Sequence, residues 1–305
     1  MGSDLVRKFP VAADVFDRAS TTAGYDMREL CFEDPRGELG LTRFTQPALL
    51  THEYACMMTF QSLVGDRLQP ILAAGHSLGE YAALVAAGVL AFEDALRLVI
   101  QRGALMSEHG RGGMLATTLD LETAYSLADK HYCGIGGCNL PDQTVIAGDA
   151  ADLDAVAAEM ERLYPRKRAV RLNTEGAFHT YLMVEAAEKF RYVLQQVQFN
   201  EPKIDILSNY TGKLHEGGND AVRSRLFFQL FNPVRWATCM TNAFEIGIDT
   251  IVEFGGGIGK DPEPVDKRPN LEGIVRKSLK FAGYEAQYAA AINADTIRAA
   301  AEELT

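Results

Sequence analysis

The chain is short of basic charge, of paired cysteines and of long apolar runs, and each shortage excludes something. Its 305 residues carry 30 Lys and Arg against 41 Asp and Glu, a net charge of −11. A nucleic-acid binder normally shows a basic stripe, so that class is disfavoured. No apolar run approaches the ~18 residues that a transmembrane helix needs. The opening Met1-Gly2-Ser3-Asp4-Leu5-Val6-Arg7-Lys8 lacks the apolar centre of a secretory signal. The five cysteines, Cys31, Cys56, Cys133, Cys138 and Cys239, are odd in number and scattered. Cys133 and Cys138 have no second pair with which to build a zinc site. The expectation is reduced, buried thiols in a cytoplasmic protein, with no metal and no membrane or nucleic-acid partner. What is present is ordinary globular composition, 47% hydrophobic and 23% charged. A chain this long buries about 75% of its unfolded surface and needs no covalent staple.

Helical and strand patterns alternate, which predicts an α/β fold. Leu5–Ala19 reads as an opening amphipathic helix, and Pro47–Val64 as a second, with Pro47 in its first turn. Pro70–Ala74 suits a short buried strand and leads into a helix through about Ala87. Phe92–Glu108 is another helix. From Met114 to Asn173 the order becomes βαββαβ, the signature of a small ferredoxin-like unit. The expected layout is a large subdomain from 1–112 and 181–305, with an inserted small subdomain at 113–180. A helix from about Thr180 to Val197 and strands at Ile204–Asn209 and Thr250–Phe254 return to the large part. Gly255–Asn270 reads as an extended polar loop.

Gly75-His76-Ser77-Leu78-Gly79 fits G-x-S-x-G between a strand and a helix. A sharp strand-to-helix turn would hold Ser77 strained and exposed, and the helix start would offer N–H dipoles to a developing oxyanion. Ser77 is therefore a candidate nucleophile, or else a structural serine capping the next helix. A serine nucleophile needs a base. Of six histidines, His52 and His131 fall inside helices with no polar constellation, and His109 and His215 read as surface residues. His76 adjoins Ser77 and would point away on a tight turn. His179, in Gly176-Ala177-Phe178-His179, follows the last strand of the inserted unit, where a loop could aim it into a cleft. It is either the base or a capping or surface histidine.

In the helix Phe92–Glu108, Ala95, Val99, Arg102 and Met106 share one face, which puts Arg102 in the apolar stripe. A buried guanidinium needs an anion. That anion is either a carboxylate of the protein or the carboxylate of a substrate, held by two parallel hydrogen bonds.

Six segments together resemble the malonyl-CoA:acyl carrier protein transacylases and the related polyketide synthase acyltransferases. They are Thr45-Gln46-Pro47-Ala48-Leu49, Gly75–Glu80, Gln101-Arg102-Gly103-Ala104-Leu105-Met106, Gly176–His179, Asn232-Pro233-Val234-Arg235-Trp236 and Val252-Glu253-Phe254-Gly255. They fall in the family's order and spacing over nearly the whole chain. The resemblance implies an α/β-hydrolase-like body with a ferredoxin-like insertion. It implies ping-pong transfer of a malonyl-type group from a coenzyme A thioester to the phosphopantetheine thiol of an acyl carrier protein, in fatty-acid or polyketide synthesis, by a monomer with no bound cofactor. By resemblance, Ser77 is the nucleophile and His179 its base, oriented by a main-chain carbonyl near Asn232–Trp236. Leu78 supplies an oxyanion N–H, and Arg102 binds the malonyl carboxylate. Gln46, His76, Phe178 and, at the pocket edge, Asn139 line the acyl pocket. Phe178 is typical of members that use malonyl over methylmalonyl groups.

Two departures stand out. The family usually opens with a strand and a Gly-Gln-Gly-Ser-Gln loop whose glutamine supplies the other oxyanion N–H. This sequence begins where that loop would end, so a truncated start is expected. The family's short Gly-Pro-Gly turn is replaced by the longer 255–270 stretch. Two other readings compete: an acyl hydrolase acting on acyl carrier proteins, and an inactive acyltransferase-like scaffold. Intact Ser77, His179 and Arg102 argue against the scaffold, and Arg102 against the hydrolase.

Overall fold

The computed structural model describes every residue except Lys260 and Pro262, so those two positions of the 255–270 loop lie outside the described residues. The chain opens with α1 (Ser3–Lys8), α2 (Pro10–Ala23), α3 (Met27–Phe32) and α4 (Thr42–Val64). The expected single opening helix is thus two. Pro10 forces the residue before it out of the helical region, and Phe9 sits extended at φ −134° and ψ 115°. The second expected helix starts five residues earlier than the sequence suggested, and Pro47 lies inside it. Helix–helix packing outweighs the one backbone hydrogen bond that a proline removes, and Gly103 lets the helices approach. A Cβ there would lie 3.0 Å from the Thr42 carbonyl oxygen.

Next come β1 (Leu72–Ala73), α5 (Gly79–Ala86) and α6 (Phe92–His109). The chain then builds β2 (Gly113–Thr117), α7 (Leu121–Lys130), β3 (Gly134–Leu140), β4 (Gln143–Gly148), α8 (Ala150–Leu163) and β5 (Ala169–Leu172). These four strands form one antiparallel sheet in the order β3-β4-β2-β5. Leu115, Ile146, Leu153 and Val156 make its separate core against α7 and α8. The remainder is α9 (Val184–Gln195), β6 (Asp205–Ile206), α10 (Gly218–Gln229), α11 (Trp236–Ile246), β7 (Thr250–Phe254), α12 (Glu272–Ala282), β8 (Gln287–Ala291) and α13 (Ala294–Leu304). Here the strands pair in parallel, β1 with β6 and β7 with β8. The architecture is mixed α/β, as the alternating pattern predicted. Its main core runs from Leu5 to Ala301 around α2, α4, α6 and α9. Among the described residues no helix is long and apolar enough to cross a membrane, and all five cysteines are unpaired.

Candidate active site

The turn between β1 and α5 places Ser77 at φ 54°, a left-handed conformation unfavourable for a residue with a Cβ. Gly75 makes the turn possible. A Cβ on it would lie 2.0 Å from the Gly79 carbonyl. Leu78 then caps α5, and its N–H donates to no acceptor among the described residues. An oxyanion beside Ser77 would meet this free donor and the positive end of the helix.

His179 is also in the left-handed region, at φ 64°, and is 5% exposed. Its Nε2 lies 2.7 Å from Ser77 Oγ, and its Nδ1 lies 2.7 Å from the Gln229 main-chain oxygen. That carbonyl accepts a proton, so Nδ1 carries one and Nε2 is left to accept from the serine hydroxyl. Gln229 precedes Asn232 by three residues, so the orienting carbonyl is where the resemblance put it. Burial, and then the nearby Arg102 charge, push the imidazole pKa down to about 3. At neutral pH the ring is uncharged and ready to take a proton.

Arg102 is 1% exposed, in the same buried stripe as Ala95, Val99 and Met106. Its Nη1 donates to Gln46 Oε1 at 2.7 Å; its Nη2 donates to Gln229 Oε1 at 3.1 Å and to Ser77 Oγ at 3.2 Å. Its face lies 5.6 Å from the Tyr81 ring centre. All its hydrogen-bonding acceptors are neutral, and its Nε has no partner among the described residues. Burial lowers its pKa. Hydrogen bonds to a charged group contribute about 1.5–3 kcal/mol each, whereas desolvating an ion costs several. Of the two anions the sequence left open, a protein carboxylate is not bonded to this guanidinium.

A cleft of about 300 Å³ opens in front of these groups. Ser77, Leu78, Arg102, Gln46, His76 and Phe178 all line it. Asn139 stands behind that wall: its Oδ1 lies 2.9 Å from His76 Nε2. A register shift between Cys138 and Leu140 re-aims that side chain. Thr42, Asn173, Thr174 and Glu175 also line the cleft, and none of them was identified from sequence. The Glu175 carboxylate accepts the Thr42 N–H, tying the start of α4 to the loop that carries His179.

Three histidine readings are corrected. His215 is a core residue, its side chain 1% exposed and its Nε2 2.7 Å from Oε1 of the fully buried Glu80. His131 has a polar partner, Glu159, at 2.6 Å. His109 ends α6 with its side chain mostly covered, and its Nδ1 lies 3.1 Å from Glu185 Oε1. Each partner is far away in sequence or on another helix, so local pattern could not reveal it. The turn's other tethers were missed for the same reason. Asn209 Oδ1 accepts the Ser77 N–H at 2.6 Å, and its Nδ2 donates to the Gly75 oxygen at 2.7 Å.

The protein-family model that matches this chain describes an acyl transferase domain and covers residues 1–255. The malonyl CoA-acyl carrier protein transacylase of Bacillus subtilis (strain 168) is 35% identical over 266 residues, which span 84% of this chain and 82% of the relative. The protein of the same name from Escherichia coli (strain K12) is 36% identical, spanning 84% of each. Among solved structures, the malonyl CoA-acyl carrier protein transacylase of Clostridium perfringens superposes with a TM-score of 0.88 at 29% identity, covering 100% of this chain and 92% of that one. A malonyl-transacylase solved in complex with its type II polyketide synthase acyl-carrier protein also superposes with a TM-score of 0.88. It is 32% identical, with 99% of this chain and 94% of that one covered.

Proposed function

The chain belongs to the acyl transferase family that includes the malonyl-CoA:acyl carrier protein transacylases, and from that premise we propose how its own residues move a malonyl group. Ser77 Oγ attacks the thioester carbonyl of malonyl-CoA while His179 Nε2 takes the hydroxyl proton. The oxyanion forms against the Leu78 N–H. The C–S bond then breaks, the coenzyme A sulfur takes the proton from His179, and an acyl-serine remains. In the second half, His179 takes the proton of a phosphopantetheine thiol. The thiolate attacks the ester, and the proton returns to Ser77 Oγ as the acyl group leaves on the carrier protein. No cofactor is needed, because coenzyme A enters and leaves as part of the substrate.

The observation that carries this reading is Arg102, a buried cation with only neutral acceptors, beside the nucleophile and facing an open cleft. A substrate carboxylate supplies the missing anion and suits the planar fork of a guanidinium. Once paired, Arg102 no longer depresses His179 as strongly, so binding the correct acyl group strengthens the base. A simple acyl hydrolase has no use for this arrangement. Gln46 holds one arm of the fork, and His76, steadied by Asn139, shapes the wall. Phe178 crowds any methyl branch at the acyl α-carbon, which favours malonyl over methylmalonyl groups.

We read 113–180, with its βαββαβ order, as a ferredoxin-like insertion in an α/β-hydrolase-like body formed by 1–112 and 181–305. The protein acts in the cytoplasm as a monomer. Its carrier-protein partner, if acidic like this chain, docks on a local basic patch, with Arg166-Lys167-Arg168 and the Lys267–Lys280 region as candidates. Intact-protein mass spectrometry after adding malonyl-CoA tests the reading. A malonyl adduct is expected on the wild-type chain and absent in Ser77→Ala. An adduct that persists in Ser77→Ala, or acetyl-CoA labelling without malonyl labelling, overturns it.

A further inference from the structure

We infer that Glu80 and His215 are positioning residues for the Ser77–His179 pair, acting through Asn209 and Gln229. The inference rests on the reading of Ser77 as nucleophile. Glu80 is the second residue of α5, fully buried one turn behind Ser77. Three donors converge on its two carboxylate oxygens. Oε2 accepts from the Asn209 main-chain N–H at 3.0 Å and from Gln229 Nε2 at 2.8 Å. Oε1 accepts from His215 Nε2 at 2.7 Å. The titratable and charged groups nearest this carboxylate are His215, Tyr81, Cys239 and, through the other end of Gln229, Arg102.

Both residues that Glu80 grips act directly on the nucleophile turn. Asn209 holds the Ser77 N–H and the Gly75 oxygen with its side chain. Gln229 has four tasks at once. Its main-chain oxygen orients His179, Nε2 donates to the Ser77 oxygen and to Glu80, and Oε1 accepts from Arg102. A glutamine amide can sit either way round, and the two ends differ only in donor or acceptor character. The Glu80 carboxylate, with the Ser77 carbonyl beside it, decides the matter, because both draw the NH2 group and the carboxylate does so with a full charge. The oxygen end must then face the guanidinium. With the carboxylate gone, a flipped amide would set NH2 against the Arg102 N–H groups, donor against donor, and loosen the anchor of His179.

His215 completes the device. It comes from the segment between β6 and α10, with its main-chain N–H on the Ile206 oxygen. Its ring, 1% exposed, covers the buried Oε1 of Glu80. The strain at Ser77 and His179 has to be held by the surrounding structure, and this cluster binds both sides of the turn. A misplacement of about 1 Å in reacting groups can lower rates ~10²-fold.

The test is the inactivation rate of the full chain by a fluorophosphonate that needs only a reactive serine. Ser77 Oγ bonds to phosphorus, fluoride leaves and His179 takes the hydroxyl proton, so acyl specificity plays no part. The variants are Glu80→Gln, His215→Leu and His215→Gln, each checked for a wild-type-like melting transition. The limiting inactivation rate is expected to fall about 10- to 100-fold in Glu80→Gln and His215→Leu, with half-saturation unchanged within about 2-fold. His215→Gln keeps a side-chain donor and is expected to recover most of the rate. Folded Glu80→Gln and His215→Leu variants that react as fast as wild type overturn the inference, as does a His215→Gln no better than His215→Leu. Labelling that persists in Ser77→Ala would instead overturn the assignment of the nucleophile.

Discussion

Two glutamates of the same body, Glu80 fully buried and Glu53 with one oxygen sealed from solvent, meet opposite surroundings. Glu80, behind the Ser77 turn, receives three hydrogen bonds on its two oxygens. Glu53, on α4 where that helix backs onto Gly255, has an oxygen sealed from solvent with no donor among the described residues. Burial, and then repulsion from Glu253, push Glu53 up to about 8. Glu253 itself is better served, by the Leu271 N–H and the Tyr288 hydroxyl. The difference teaches that burial alone says little about a polar side chain; the donors around it decide whether it anchors or strains the fold. Arg102 is a third case, a buried charge whose hydrogen-bond acceptors are all neutral.

If the Ser77 region is pre-organised for chemistry and the Glu53 region is not, their variants separate by kind. The largest effect belongs to His179→Ala, expected to slow acyl-enzyme formation about 10³-fold in rapid-quench labelling with malonyl-CoA. A fall of less than 10-fold would reduce the pair to packing. Arg102→Ala comes next, with malonyl labelling expected to fall about 10²-fold as a charge-paired contact is lost. Acetyl-CoA labelling, measured beside it, should change by less than about 3-fold, and an equal fall in both would contradict the carboxylate role.

Glu53→Gln should act on stability. Between the ordinary carboxylate pKa near 4.5 and the raised value of about 8, the folded chain holds a proton that the unfolded chain has released. Stability therefore falls as pH rises through that window. Glutamine mimics the protonated form, so the variant should be on the order of 2 kcal/mol more stable than wild type at pH 8. The gain should vanish near pH 4.5, and urea unfolding at the two pH values measures it. A gain equal at both would remove ionisation as the cause. The smallest effect is expected for Phe178→Ser. Relief of crowding at one methyl should shift the methylmalonyl-to-malonyl preference about 10-fold, roughly 1.4 kcal/mol, in competitive labelling. An unchanged ratio would clear Phe178 of that role.

Much of the site was legible before any fold was known. Ser77 announces itself because a nucleophile turn needs small residues at fixed spacing, and Gly75 has no room for a Cβ. Arg102 betrays itself by falling on the apolar face of a helix. His179 has two readings on chemistry alone, base or capping residue, and the resemblance implies the base. The deeper layer was hidden. His215 lies in a polar stretch that looks like surface, and Gln229 at the end of a weakly patterned helix. Each matters only because the fold carries it across 135 or 149 residues of chain to Glu80.

The sequence by itself determined the family, the alternation of helix and strand, and the residues whose chemistry can be named from local spacing. Those features depend on short-range geometry: turn sterics, helical periodicity and the position of proline. Only the tertiary structure decided which buried polar groups are answered and by whom. It showed that the Arg102 guanidinium bonds only neutral oxygens, that Glu80 accepts from Gln229 and Asn209, and that one Glu53 oxygen has no donor among the described residues. Hydrogen bonds act over about 3 Å, and no sequence separation predicts which distant residues will come that close.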